Sequence, residues 1–167
     1  MIVTIWRHGE AGSAVSDRLR ELTGQGMDDV GFGCHRFHEI CEKRDIGHPE
    51  LILHSEWVRT TQTADIIANA FTHARIMRLG AVVPGNTPAD VDRALEPVIT
   101  AEEAPTHILL VSHQPLVSRL VDHYLADAGA VPLLSPGGLV MLDLSAPQRG
   151  CGRLLFWALP PQYEAGA

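Results

Sequence analysis

The chain has 167 residues and a formal net charge of −7, with 46% hydrophobic and 20% charged residues. That length suits one domain spanning residues 1–167, and that composition suits a packed globule rather than a disordered chain. The acidic balance argues against nucleic-acid binding, which needs a cationic face, and no apolar run approaches the ~20 residues of a membrane span.

In chain order, Ile2-Val3-Thr4-Ile5-Trp6 is a β-rich run, and the next is Leu51-Ile52-Leu53. Ile108-Leu109-Leu110-Val111 is the clearest of these runs; continuous apolar runs of this length suit strands buried on both faces of a sheet. Between the first two, Met27, Val30, Cys34, Phe37 and Cys41 form one stripe of a helix starting near Thr23, weakened by Gly31 and Gly33. Val58, Thr61, Ala64, Ile67 and Phe71 form a second stripe, with Ser55 as its N-cap and Glu56 in its first turn. A third helix is predicted from Pro88 to Glu102. A fourth carries Leu116, Val117, Leu120, Val121 and Tyr124, with Pro115 at its start. Leu139–Leu144 and Arg153–Leu159 read as two antiparallel strands. The predicted fold class is α/β, a three-layer sandwich around a mostly parallel mixed sheet.

Met1 to Trp6 has neither a cationic lead nor a long apolar stretch, and Cys34, Cys41 and Cys151 cannot close a disulfide framework. The expected location is therefore the cytoplasm, and the expected state a monomer. Cys34-His35-x-x-His38-x-x-Cys41 shares its helix face with Phe37 and Met27, so it is expected to be core and to bind no metal. Twelve of the thirteen cationic residues are Arg, and Lys43 is the one lysine.

The chemistry gathers at three strand ends. They read Trp6-Arg7-His8-Gly9-Glu10, then Leu53-His54-Ser55 with Arg59 one turn into the next helix, then Val111-Ser112-His113-Gln114-Pro115. Ligands of open α/β sheets bind outside the carboxyl ends of the strands, beside helix N-termini. Parallel neighbours would bring two His and two Arg to one edge, a cationic pocket in an acidic protein. A neutral imidazole is a nucleophile, and guanidinium forks match phosphoryl oxygens. Nearby Arg also keeps His8 neutral, so phosphoryl transfer could proceed with no metal or cofactor.

Arg7-His8-Gly9-Glu10 resembles the Arg-His-Gly signature of the histidine phosphatase (phosphoglycerate mutase-like) superfamily. Within it, the short chain resembles the SixA-type phosphohistidine phosphatases. The other supporting blocks run from Ser16 to Gly26, from Ser55 to Ala64 and from Val111 to Val117. The resemblance implies that His8 is the nucleophile that becomes phosphorylated, with Arg7, Arg59 and His113 binding the phosphate. It also implies that Arg20 supports the pocket or meets the substrate, and that Asp17 orients Arg7 or Arg20.

The departure from the family pattern lies in Leu79-Gly80-Ala81-Val82-Val83-Pro84, where many members carry a Glu or Asp that protonates the leaving oxygen. Such an acid contributes ~10²–10⁴-fold, whereas an imidazole leaving group can depart without one. The expected activity is therefore hydrolysis of phosphohistidine on a protein partner, such as a phosphotransfer domain. Two alternatives stay open: a phosphatase of a small phosphorylated metabolite, and a binding module for phosphorylated ligands without turnover. Glu10, Asp17 and Asp90 remain open as replacements for the missing acid.

Overall fold

The computed structural model describes residues 1–166. Six strands form one sheet: β1 (Ile2–Arg7), β2 (Leu51–His54), β3 (Arg75–Arg78), β4 (His107–Ser112), β5 (Leu139–Leu144) and β6 (Gly152–Ala158). Four helices separate them: α1 (Gly24–Arg44), α2 (Val58–Ala70), α3 (Pro88–Ile99) and α4 (Leu116–Leu125). The strand order is β3-β2-β4-β1-β5-β6. β3, β2, β4 and β1 run parallel, while β5 and β6 are antiparallel additions.

Both faces of the sheet are covered, as the apolar runs of β1, β2 and β4 require. On one face Val91 and Leu95 of α3 and Leu116, Val117, Leu120, Val121 and Tyr124 of α4 pack on Val3, Ile5, Leu51, Leu53, Ile108 and Leu110. On the other, Val30, Cys34, Phe37 and Cys41 of α1 and Ala64 and Ile67 of α2 pack on Trp6, Ile52, Leu109 and Val111. This is a three-layer sandwich. The helix that follows β1 and the helix that follows β4 therefore lie on opposite faces. The crevice between these neighbouring strands is the topological switch point, where ligands bind in such sheets.

Several expectations are corrected. β3 was not predicted: all four of its residues are exposed, so this edge strand has no apolar side to read, and its terminal Arg75 and Arg78 suit an unpaired edge. Met27 is 42% exposed and lies outside the core stripe of α1. The buried side of α2 carries Arg59, Thr60, Thr63, Ala64 and Ile67; Val58 and Thr61 are only half-buried. Ser55 does not cap α2, which starts at Val58 after Trp57, and Glu56 precedes the helix. α3 ends at Ile99 rather than Glu102.

The helix predicted to start near Thr23 does so. Thr23 caps α1, its hydroxyl oxygen accepting from the Gly26 amide at 2.9 Å. Gly33 is needed where it stands, because a Cβ there would lie 2.6 Å from the buried Tyr163 ring, whereas one on Gly31 would meet nothing within 4 Å.

Candidate active site

The register Arg7↔Ser112 between β1 and β4 delivers His8 and His113 to the same end of adjacent strands. The two imidazole centroids are 5.3 Å apart, and both side chains are buried. His8 is anchored by its backbone: its amide donates to Ser112 at 3.0 Å and its carbonyl accepts from Gly137 at 2.8 Å. The next amide, Gly9, donates to Thr63 Oγ1 at 3.1 Å. This turn rests directly on α1, since a Cβ on Gly26 would lie 2.2 Å from the Glu10 carbonyl oxygen.

His8 Nδ1 lies 2.7 Å from the Gly9 carbonyl oxygen. A carbonyl can only accept, so Nδ1 carries the proton and Nε2 holds the lone pair. Arg59 Nε donates to that Nε2 at 3.1 Å. Burial, and then the charges of Arg59, Arg7 and Arg20, lower the His8 pKa to about 4 against the pull of the Gly9 carbonyl. The ring is therefore neutral at pH 7, the form that can attack phosphorus.

Arg59 is 4% exposed and is held from three sides. Besides His8, its Nη1 donates to the Asp17 carbonyl at 2.6 Å and its Nη2 reaches Asp17 Oδ2 at 3.4 Å. Its guanidinium carbon also lies 4.9 Å above the Trp57 ring. Arg7 donates through Nη1 to the Leu134 carbonyl at 2.7 Å, while its Nε is buried with no partner. His113 Nε2 lies 2.9 Å from Ser55 Oγ, and Nδ1 is buried with no partner. Burial, then the neighbouring His8 and Arg59, lower the His113 pKa to about 3. Two neutral imidazoles and two guanidinium groups thus share one strand-end crevice. Unpaired nitrogens on Arg7 and His113 there suit a tetrahedral anion.

Arg20 stands one step back. Its Nε and Nη2 donate to the carbonyls of Gly12 and Ala11 at 2.7 and 3.3 Å, and its Nη1 meets Asp17 Oδ1 at 3.0 Å. Asp17 therefore orients Arg20 and Arg59, where the sequence suggested Arg7 or Arg20. Its carboxyl is held below the usual range, chiefly by the Arg20 hydrogen bond. The other two candidate carboxylates are hydrogen-bonded elsewhere. Glu10 Oε1 accepts from Thr23 Oγ1 at 2.8 Å, and Asp90 Oδ2 accepts from the Thr87 amide and hydroxyl at 2.8 and 2.7 Å. The stretch Leu79–Pro84 does reach the end of β4, where Ser112 Oγ donates to the Val82 carbonyl at 2.7 Å. It brings no carboxylate.

Sequence reasoning missed three participants: Ser55 beside His113, Trp57 edge-on to His113 at 5.2 Å, and Thr63 on the Gly9 amide. All three lie in the block that contains Arg59, which was the available signal. His54 is also buried, with Nδ1 2.8 Å from the Ser55 carbonyl. Cys34 and Cys41 are core thiols whose pKa burial raises to about 12, so neither offers a thiolate. His38 instead faces Glu42 and His48, with three potential ligand atoms within 4.8 Å of one another. That group begins a dozen residues beyond the α1 residue that touches Glu10, about 18 Å along the helix.

No protein-family model matches the sequence, and no curated protein matches it by sequence. Solved structures do match. The protein histidine phosphatase SixA in complex with tungstate superposes with a TM-score of 0.77 at 24% identity, covering 96% of this chain and 97% of that one. A SixA from Agrobacterium tumefaciens gives 0.74 at 22%, covering 95% and 97%. The phosphoglycerate mutase of Plasmodium falciparum gives 0.58 at 17%, covering 85% and 82%. The fold is that of the histidine phosphatases. In this histidine phosphatase fold, the two imidazoles follow directly after β1 and β4, and α2 brings Arg59 to His8. No helix among the described residues is long and apolar enough to cross a membrane.

Proposed function

We propose that this protein is a cofactor-independent phosphatase that hydrolyses phosphohistidine carried by another protein, with His8 as nucleophile. His8 Nε2 attacks phosphorus as Arg59 exchanges its contact with that nitrogen for phosphoryl oxygens. Arg7 and His113 hold the remaining oxygens. The substrate's imidazole, protonated from water at its other ring nitrogen, takes the electron pair of the breaking P–N bond and leaves as a neutral ring, and phosphorus is bonded to His8. Water then attacks that phosphorus, the bond to Nε2 breaks, and phosphate leaves.

The observation that carries the substrate class is that none of the candidate proton donors considered among the described residues is free to serve. Asp17 is held as an anion by Arg20 and Arg59, Glu10 and Asp90 are tied to Thr23 and Thr87, and Leu79–Pro84 has no carboxylate. Attack on an alkyl phosphate needs such a donor, while an imidazole, with an ordinary pKa near ~6.5, leaves far more readily. Exposed apolar side chains beside the site support a protein-borne substrate. Val15, 98% exposed, is two residues from the Asp17 that holds Arg59; Leu133, 80% exposed, precedes the Leu134 that holds Arg7. The named activity of the SixA structures agrees with this reading. A phosphotransfer domain in the cytoplasm fits as the partner.

The test compares kcat/KM on phosphoramidate or a phosphohistidine protein with that on an alkyl phosphate. A preference for the N–P bond of at least ~10²-fold is expected, following the usual worth of the missing acid. A phosphoenzyme should be trapped by rapid quench and be lost in His8→Ala. Faster turnover of the ester would move the assignment to a small phosphorylated metabolite. No turnover and no phosphoenzyme would leave a binding module.

A further inference from the structure

Ser55 is fully buried, and its oxygen already accepts the Trp57 amide at 3.3 Å. Its only other partner through that oxygen is His113 Nε2, 2.9 Å away. We infer that Ser55 is a positioning residue: its hydroxyl donates to Nε2 and holds His113 in the tautomer whose proton sits on Nδ1, where it can donate to a bound phosphoryl oxygen. The inference rests on the proposed function only for the identity of that anion.

The argument is a count of hydrogen bonds. A neutral imidazole has one N–H and one lone pair, and a serine hydroxyl has one hydrogen. Were the proton on Nε2, Ser55 would accept twice and its own hydrogen would be buried without an acceptor. His113 Nδ1, which has no partner, would then present a bare lone pair to any anion. With the proton on Nδ1, Ser55 accepts once and donates once. One group is left unpaired instead of two, and it is a donor. Leaving buried polar groups unpaired is costly, so the second arrangement is preferred. Burial beside His8 and Arg59 agrees, because it keeps the ring neutral and therefore able to choose. Trp57 fixes the ring plane, its indole lying edge-on to His113 at 5.2 Å with Arg59 across its face. If His113 meets the phosphoryl group while Ser55 keeps Nε2, it must do so through Nδ1.

The test needs no turnover. Long-range proton–nitrogen NMR of the full ¹⁵N-labelled chain reads which nitrogen of His113 carries the proton, and titration with orthovanadate reads oxyanion affinity. The wild type should show the Nδ1–H form. In Ser55→Ala, which removes one atom from a buried site, the Nδ1–H share should fall several-fold and vanadate affinity roughly tenfold, the scale of one lost hydrogen bond to a charged group. An Nε2–H form in the wild type overturns the inference. So does a Ser55→Ala variant that keeps either the Nδ1–H form or full vanadate affinity. A protein that passes both tests yet hydrolyses no phosphorylated substrate would refute the phosphatase reading and leave this one standing.

Discussion

Replacing Arg59 with Met separates the two effects that this side chain exerts on His8. Arg59 donates to His8 Nε2 at 3.1 Å and, after burial itself, is the largest influence lowering the His8 pKa to about 4. Methionine keeps most of the volume and removes the charge and its donors. At pH 7 His8 stays neutral in both proteins, because its pKa lies below the ordinary ~6.5 in each. The loss of kcat/KM at pH 7 therefore measures lost phosphoryl contacts alone, and should be roughly 10²–10³-fold. At lower pH the proteins diverge. Burial persists in the variant, so its His8 should titrate between 4 and 6.5 rather than at either end. The sign follows: protonation removes the lone pair, so the variant's acid limb begins at higher pH and its deficit widens as pH falls from 7 toward 4.5. NMR titration of His8 and pH profiles of kcat/KM, measured in parallel, check both statements. A wild-type His8 that titrates near 6.5, or a deficit that stays constant across that range, would refute the electrostatic argument.

Two further perturbations have defined outcomes. Asp17→Asn should lower kcat/KM by less than about fivefold, because the Asp17 carboxylate is itself solvent-exposed and Arg59 keeps the Asp17 carbonyl at 2.6 Å. A loss of ~10²-fold or more would instead mark Asp17 as the missing proton donor. His107, buried between the Gly47 carbonyl at 2.6 Å and Thr4 Oγ1 at 2.8 Å, has its pKa lowered to about 4, chiefly by burial. A histidine whose folded pKa is depressed binds its proton better when unfolded, so its contribution to stability is present above pH ~6.5 and is lost as pH falls toward 4. The loss is about 3 kcal/mol. Urea unfolding across that range should show a shallower pH dependence in His107→Gln than in the wild type. Equal slopes would refute the assignment.

What the sequence disclosed depended on whether a residue's surroundings were local. β1 and β4 were legible because both faces are buried, which leaves a continuous apolar run. α1 announced its start through Thr23, whose cap lies three residues from its partner amide. Long-range duties were silent. Ser55 looked like a helix cap, since serine before a helical stripe usually is one, yet its hydroxyl serves His113, 58 residues away. The face of α2 was misread for a related reason. A buried Arg59 counts as polar in any periodicity, but here it turns inward because His8 and Asp17 receive its donors. β3 left no trace because its side chains are all exposed.

The switch point explains why so small a chain can assemble this site. Neighbouring parallel strands β1 and β4 diverge into helices on opposite faces, which places a crevice between their ends. Two residues just past those ends, His8 and His113, then need no long loop to meet. Arg59 comes from the first turn of α2, after the strand on the other side of β4, and it reaches His8 with its far end held by Asp17. The segment that many relatives of this fold use for a proton-donating acid, Leu79–Pro84, reaches the end of β4 but meets it through a backbone carbonyl that accepts from Ser112 Oγ. In the proposed phosphatase, an anion site without a proton donor would be selective through its leaving group. Supplying that donor, with Glu at Ala81 or Val83, should raise turnover of alkyl phosphates by more than it raises turnover of phosphoramidate. Parallel kcat/KM measurements decide it: equal gains on both substrates would mean that proton transfer does not limit the ester, and that the missing carboxylate is not what sets the preference.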